Sequence, residues 1–183
     1  MALTRLGTSA YTTLDATKLT GTLPAISGAN LTGISAGKVL QVVETRVTAT
    51  ASTSSSSFSD ISGMSASITP SSTSNKILVL AVLNISSNNH THTKVLRGST
   101  DIGTGVAVGS RPAVSTYHNI DANSCRTAPI TILDSPNSTS SQNYKIQWRA
   151  NASSGYLNRT YNDVDAGYGA RSSSSITLLE IEG

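Results

Sequence analysis

From Lys38 onward, apolar and polar residues alternate with a period of two, the pattern of strands that bury one face. KVLQVVETRV (38–47) reads as a strand, and a Ser/Thr-rich loop, TATASTSSSS (48–57), follows it. FSDIS (58–62) and MSASI (64–68) are strand candidates split by Gly63, and Pro70 ends that run. The strongest segment is 75–86. Its centre, KILVLAVLNI, is almost continuously apolar, which predicts a central strand buried on both faces. SNN (87–89) reads as a turn, HTHTKVLR (90–97) pairs back, and GST (98–100) turns again. APITILD (128–134), NYKIQWRA (143–150), GYLNRTY (155–161) and SSITLLEIE (174–182) are further candidates. About eight strands punctuated by turns predict an all-β sandwich or jelly roll. No segment carries a convincing helical stripe.

Residues 1–37 follow another rule. LDATKLTGTLPA (14–25) and ISGANLTGISAG (26–37) repeat at an offset of twelve residues. Leu14 matches Ile26, and Leu19 matches Leu31, so each unit holds two aliphatic anchors five residues apart beside an LTG turn. Such a unit has too little apolar surface to offset the entropy of ordering itself. Copies wrapped about a shared axis would bury the anchors, so an extended, oligomer-supported stem is expected, with Leu14, Leu19, Ile26 and Leu31 on its axis. Composition alone also permits a flexible linker. Glycine does not recur at every third position, which excludes collagen. The expected organisation is therefore a stem, 1–37, and a β head, 38–183.

Composition reinforces this division. Charged residues make up 13% and aromatics 4%, so Val, Ile and Leu must build the core, and oligomerisation would add buried surface. The net charge of +3 is scattered and not interleaved with aromatics, so no nucleic-acid partner is expected. No apolar run has the length of a signal peptide or a membrane span, so membrane insertion is not expected. Six Asn-x-Ser/Thr sequons, at Asn30, Asn84, Asn89, Asn137, Asn151 and Asn158, are read as chance in so Asn- and Ser-rich a chain. Cys125 is the single cysteine and is expected as a buried thiol.

Few residues suggest chemistry. His90 and His92 would share one face of a strand, about 6.5–7 Å apart. Three such pairs about a threefold axis would offer six nitrogens to a transition metal, although exposed strand histidines are the plainer reading. Asn162, Asp163 and Asp165 could offer oxygens to calcium but lack the EF-hand loop. Tyr156, Arg159, Tyr161, Tyr168 and Arg171 lie in one short stretch, with Tyr117 and His118 expected in another loop. Tyrosine faces flanked by polar donors suit sugar rings. Paired glycosidase-like carboxylates, a GxSxG turn and a P-loop are all missing from the sequence, so no enzyme and no cofactor are expected.

The stem segment LTGTLPAISGANLTGIS is similar to the repeated stem motifs of phage tail-fibre proteins. Several head segments resemble a jelly-roll type found in phages: SITPSSTSNKILVLAVL, VLRGSTDIGTG, TILDSPNSTSSQNYKIQWRA, YLNRT and the closing SITLLEIEG. Nearly the full chain thus resembles short fibre and appendage proteins of tailed bacteriophages. The resemblance implies a virion-located homotrimer that joins other virion proteins through residues 1–37 and turns its head to the host, with surface polysaccharide as a partner. It leaves open a purely structural role as a capsid or baseplate cement protein.

Overall fold

The computed structural model describes residues 38–119 and 124–183. Leu14, Leu19, Ile26 and Leu31, expected on the axis of a stem, lie outside the described residues. The described residues form an all-β fold. Its strands are β1 (Val39–Val47), β2 (Ala51–Thr53), β3 (Ser59–Ile68), β4 (Lys76–Ser87), β5 (His90–Arg97), β6 (Thr100–Ile102), β7 (Thr116–Asn119), β8 (Arg126–Asp134), β9 (Gln142–Asn151), β10 (Gly155–Leu157) and β11 (Ser174–Ile181).

All pairings are antiparallel. In the six-stranded sheet, β4 is central. On one side it pairs with β8, and on the other with β11 and, farther along, β10. β1 then pairs with β11, and β2 with β10. In the five-stranded sheet, β9 lies between β3 and β5, and β5 pairs with β6 near one end and β7 near the other. The two sheets share one apolar core. Ile77, Val79, Leu83, Ile176 and Leu178 come from the first sheet, and Met64, Ile68, Tyr144, Ile146 and Trp148 from the second.

The strands run between two ends. Lys38 and Glu182 lie together at one end, where the Glu182 N–H donates to the Lys38 carbonyl (3.0 Å). This proximal end also holds loops 69–75 and 135–141, as the β4 register places Lys76 opposite Ile181 and Ile77 opposite Asp134. The distal end holds turns 88–89 and 152–154.

The long strands fall where alternation places them, with three physical adjustments. The two candidates split by Gly63 form one strand, β3, with a register irregularity between Asp60 and Ser65. Gly63 sits there at φ 78, a backbone region that favours glycine. GYLNRTY is a strand only to Leu157, because Asn158 turns left-handed at φ 60. The apolar run in β4 is buried on one face only. Ile77, Val79, Ala81, Leu83 and Ile85 enter the core, whereas Leu78 and Leu80 are half-exposed and Val82 is exposed.

Candidate distal binding loop

Loop 158–173 links β10 to β11 and is held on Asn158. This side chain is fully buried. Its Nδ2 donates to the carbonyls of Val47 (2.7 Å) and Ala49 (3.0 Å), and its Oδ1 accepts from Ser174 Oγ (2.7 Å). Asparagine tolerates the left-handed backbone there while its amide satisfies the strand that passes beside it. The next residue is pinned as well. Ser86 Oγ donates to the Arg159 carbonyl (2.7 Å), and Arg159 forms an antiparallel bridge with Arg171.

The structure brings four of the five predicted sugar-binding residues into one network. The Arg159 guanidinium lies 3.7 Å from the Tyr156 ring centroid, and Tyr161 meets Tyr156 edge-on, 5.2 Å between centroids. Asp163 receives Arg171 through Nη1 and through Nη2 (3.0 Å), and Arg159 Nη1 lies 3.3 Å from its carboxylate. The Arg171 hydrogen bond leads in holding the Asp163 carboxyl below its usual range. Tyr168 stands apart, 80% exposed. The same loop encloses an open hollow of about 380 Å³ whose wall includes Asp163, Asp165, Gly169 and Arg171 but not Tyr168. One face of Tyr156 is thus occupied by a cation, whereas the Tyr168 ring stands in solvent.

The calcium reading of Asn162, Asp163 and Asp165 meets a competing pair of guanidinium groups at Asp163. Among the described residues no group of three or more His, Cys, Asp or Glu side chains is placed to hold a metal.

The histidines form a second cluster. His90 and His92 share the outer face of β5, and Tyr117 of β7 lies against both rings at 5.4 Å between centroids. The Tyr117 hydroxyl and His90 Nδ1 are hydrogen-bonded at 2.7 Å. Tyr117 and His118 therefore lie in a strand, not the expected loop. His92 is not an exposed strand histidine but only 9% exposed. Burial, then the neighbouring Arg149 and His90 charges, push its pKa down. His118 faces the interior with Nε2 3.1 Å from Thr116 Oγ1, and burial, with His92 second, pushes its pKa down too. Cys125 is half-buried rather than buried, and desolvation raises its thiol pKa against the opposing Ser172 hydrogen bond.

Two further polar groups escaped sequence reasoning. Glu180 is 2% exposed, and its Oε1 accepts from the Ser71 N–H (2.6 Å), Ser71 Oγ (2.7 Å) and Asn75 Nδ2 (2.6 Å). Asp134 Oδ2 accepts from Arg97 Nη1 (2.6 Å) and the Tyr144 hydroxyl (2.7 Å), which ties the two sheets together. The one available signal for Glu180 was a carboxylate at an inward position of an alternating strand. No protein-family model and no curated protein matches the sequence.

Proposed function

We propose that this protein is a homotrimeric virion fibre protein of a tailed bacteriophage, joined to the particle through residues 1–37 and presenting its β head to a host-surface glycan. The observation that carries the reading is polarity. The chain reaches the head at Lys38, at the proximal end, whereas loop 158–173 lies against Asn84, Ser86 and the end of β1, in the distal half. The residue at which the described fold begins and the candidate contact loop are thereby separated along the strands. The loop offers an exposed stacking face at Tyr168 and, separately, a hollow walled by Asp163, Asp165 and Arg171.

Strand order supports reading the head as a jelly roll. With β2, β7 and β10 counted as parts of longer strands, pairing is first with eighth (β1–β11), second with seventh (β3–β9), third with sixth (β4–β8) and fourth with fifth (β5–β6). That is one long hairpin rolled up, the logic of two joined Greek keys. The chain acts by adhesion and not by turnover. Several weak sites on one particle gain strength through effective concentration. Light scattering of the purified full chain is expected to give three times the chain mass, and free protein is expected to block adsorption of particles to cells. A stable monomer would overturn the proposal.

One observation favours the cement alternative: most charged and aromatic groups of loop 158–173 are satisfied by one another. Electron microscopy of labelled particles separates the two readings, as a cement protein would lie between capsid or baseplate subunits and leave adsorption unaffected when added free.

A further inference from the structure

We propose that the proximal half of the outer face of the six-stranded sheet is where copies of this chain meet in the head. The proposal rests on the oligomeric reading above and assigns it a surface. Val42, Leu179, Leu78 and Leu133 are successive cross-strand partners on β1, β11, β4 and β8, so they form an aliphatic row across the sheet. All four lie out of phase with the core positions. Val39, opposite Ile181, extends the row toward Lys38, and Leu80 and Val82 extend it the other way along β4. Val42 is 58% exposed, Leu133 55%, Val39 53% and Val82 39%.

This is not how the same molecule treats its other outer face. There, Lys145 pairs with Asp60 (3.0 Å) and Lys94 with Asp101 (2.9 Å), as befits a solvated sheet. The apolar run in β4 has the composition of a strand buried twice, and one chain buries it once. Four side chains of this size, each about half bare, leave roughly 300 Å² of aliphatic surface in one patch, the scale of the largest and often functional patch on a soluble domain. A stable interface takes about 800 Å² from each partner, so the row would supply its apolar centre and the polar rim the remainder.

The rim identifies the occupant. Lys38 with Glu182 (3.8 Å) and Arg46 with Glu44 (2.7 Å) are exposed pairs of opposite charge, and Lys76 adds one exposed cation, so the border carries both signs and is not strongly cationic. Three copies turned inward about one threefold axis would set these aliphatic faces together, with the mixed-sign borders around them. An anionic membrane would call for a cationic border. A glycan would call for aromatic faces, and none of the row residues is aromatic.

The test uses the full chain with Cys125→Ser, to which either Leu133→Cys or Val106→Cys is added. Val106 is 89% exposed in the loop between β6 and β7, outside the row, and serves as the free reference. Light scattering gives the mass of each variant, and maleimide labelling gives the rate. The expected result is an oligomer in which the cysteine at 133 reacts about tenfold or more slowly than the one at 106, since buried positions react only through opening. Equal rates in an oligomer would overturn this surface and leave the trimeric reading standing. Equal rates in a monomer would overturn both.

Discussion

Asn158 and Glu180 act as single-residue locks, and substitution separates their components. Asn158 combines a left-handed backbone with three side-chain hydrogen bonds in a buried site. Asn158→Gly keeps the backbone and loses the bonds, leaving the Val47 and Ala49 carbonyls short of a donor. The expected cost is about 2–3 kcal/mol. Asn158→Ala adds the left-handed penalty, about 1 kcal/mol more. Chemical denaturation of both variants checks the order: if Ala proves no worse than Gly, the backbone at 158 is not strained for a Cβ. Glu180 is a buried carboxylate whose desolvation raises its pKa, but the Asn75 and Ser71 hydrogen bonds outweigh this and leave it lowered. A carboxyl with a depressed folded value stabilises the fold fully above its unfolded pKa of 4.5 and loses that contribution as pH falls through the folded value. Glu180→Gln should therefore lower stability at pH 7 by about 2 kcal/mol, roughly 6 °C in Tm. The gap between variant and wild type should close as melts are taken from pH 5 down toward pH 3. A gap independent of pH would show that shape, not charge, matters at 180.

Whole elements are tied by a different device. Asp134 ends β8 in one sheet, while Arg97 and Tyr144 come from β5 and β9 in the other, so a single carboxylate bridges the sandwich near its proximal end. Tyr144→Phe removes one hydrogen bond at an expected cost of about 1 kcal/mol, whereas Asp134→Ala leaves both partners unmet and should cost about 3 kcal/mol. A double-mutant cycle by urea denaturation should return a coupling of about 1 kcal/mol, and zero coupling would mean the bridge is incidental. The long strands were legible because alternation over eight or more residues leaves little choice of face, as β11 shows from Ser174 to Ile181. The short strands β2, β6 and β7 were not legible. Each is set by pairing with a longer neighbour, and Ala51–Thr53 lies inside a Ser/Thr-rich run that reads as loop. In the candidate site, the sequence showed Tyr156, Arg159 and Tyr161 close together but not that the guanidinium would lie over the Tyr156 ring. That arrangement follows from the left turn at Asn158, which only the three-dimensional surroundings require.

Across the whole molecule, rigidity and exposure are distributed unevenly. Glu180 and Asp134 hold the proximal end, and the aliphatic face lies on the same half of the sheet. Loop 158–173, by contrast, carries side chains whose work at the surface can be separated from their work in the fold. Arg159 stacks on Tyr156 and approaches Asp163, so Arg159→Ala should loosen the loop and cost about 1–2 kcal/mol. Any loss of binding in that variant would be ambiguous. Tyr168 is 80% exposed and has little fold to support, so Tyr168→Ala should leave Tm within about 1 °C of the parent. If the distal loop meets a sugar by ring stacking, that same variant should lose adhesion. The loss per site, about 1 kcal/mol, would be multiplied over the sites that engage together, so particle adsorption should fall far more than monovalent glycan binding. The pair of measurements decides the matter. Unchanged stability with lost adsorption places the contact at Tyr168, whereas unchanged stability with unchanged adsorption removes this ring from the contact and moves the search to the histidine and Tyr117 cluster on the opposite sheet.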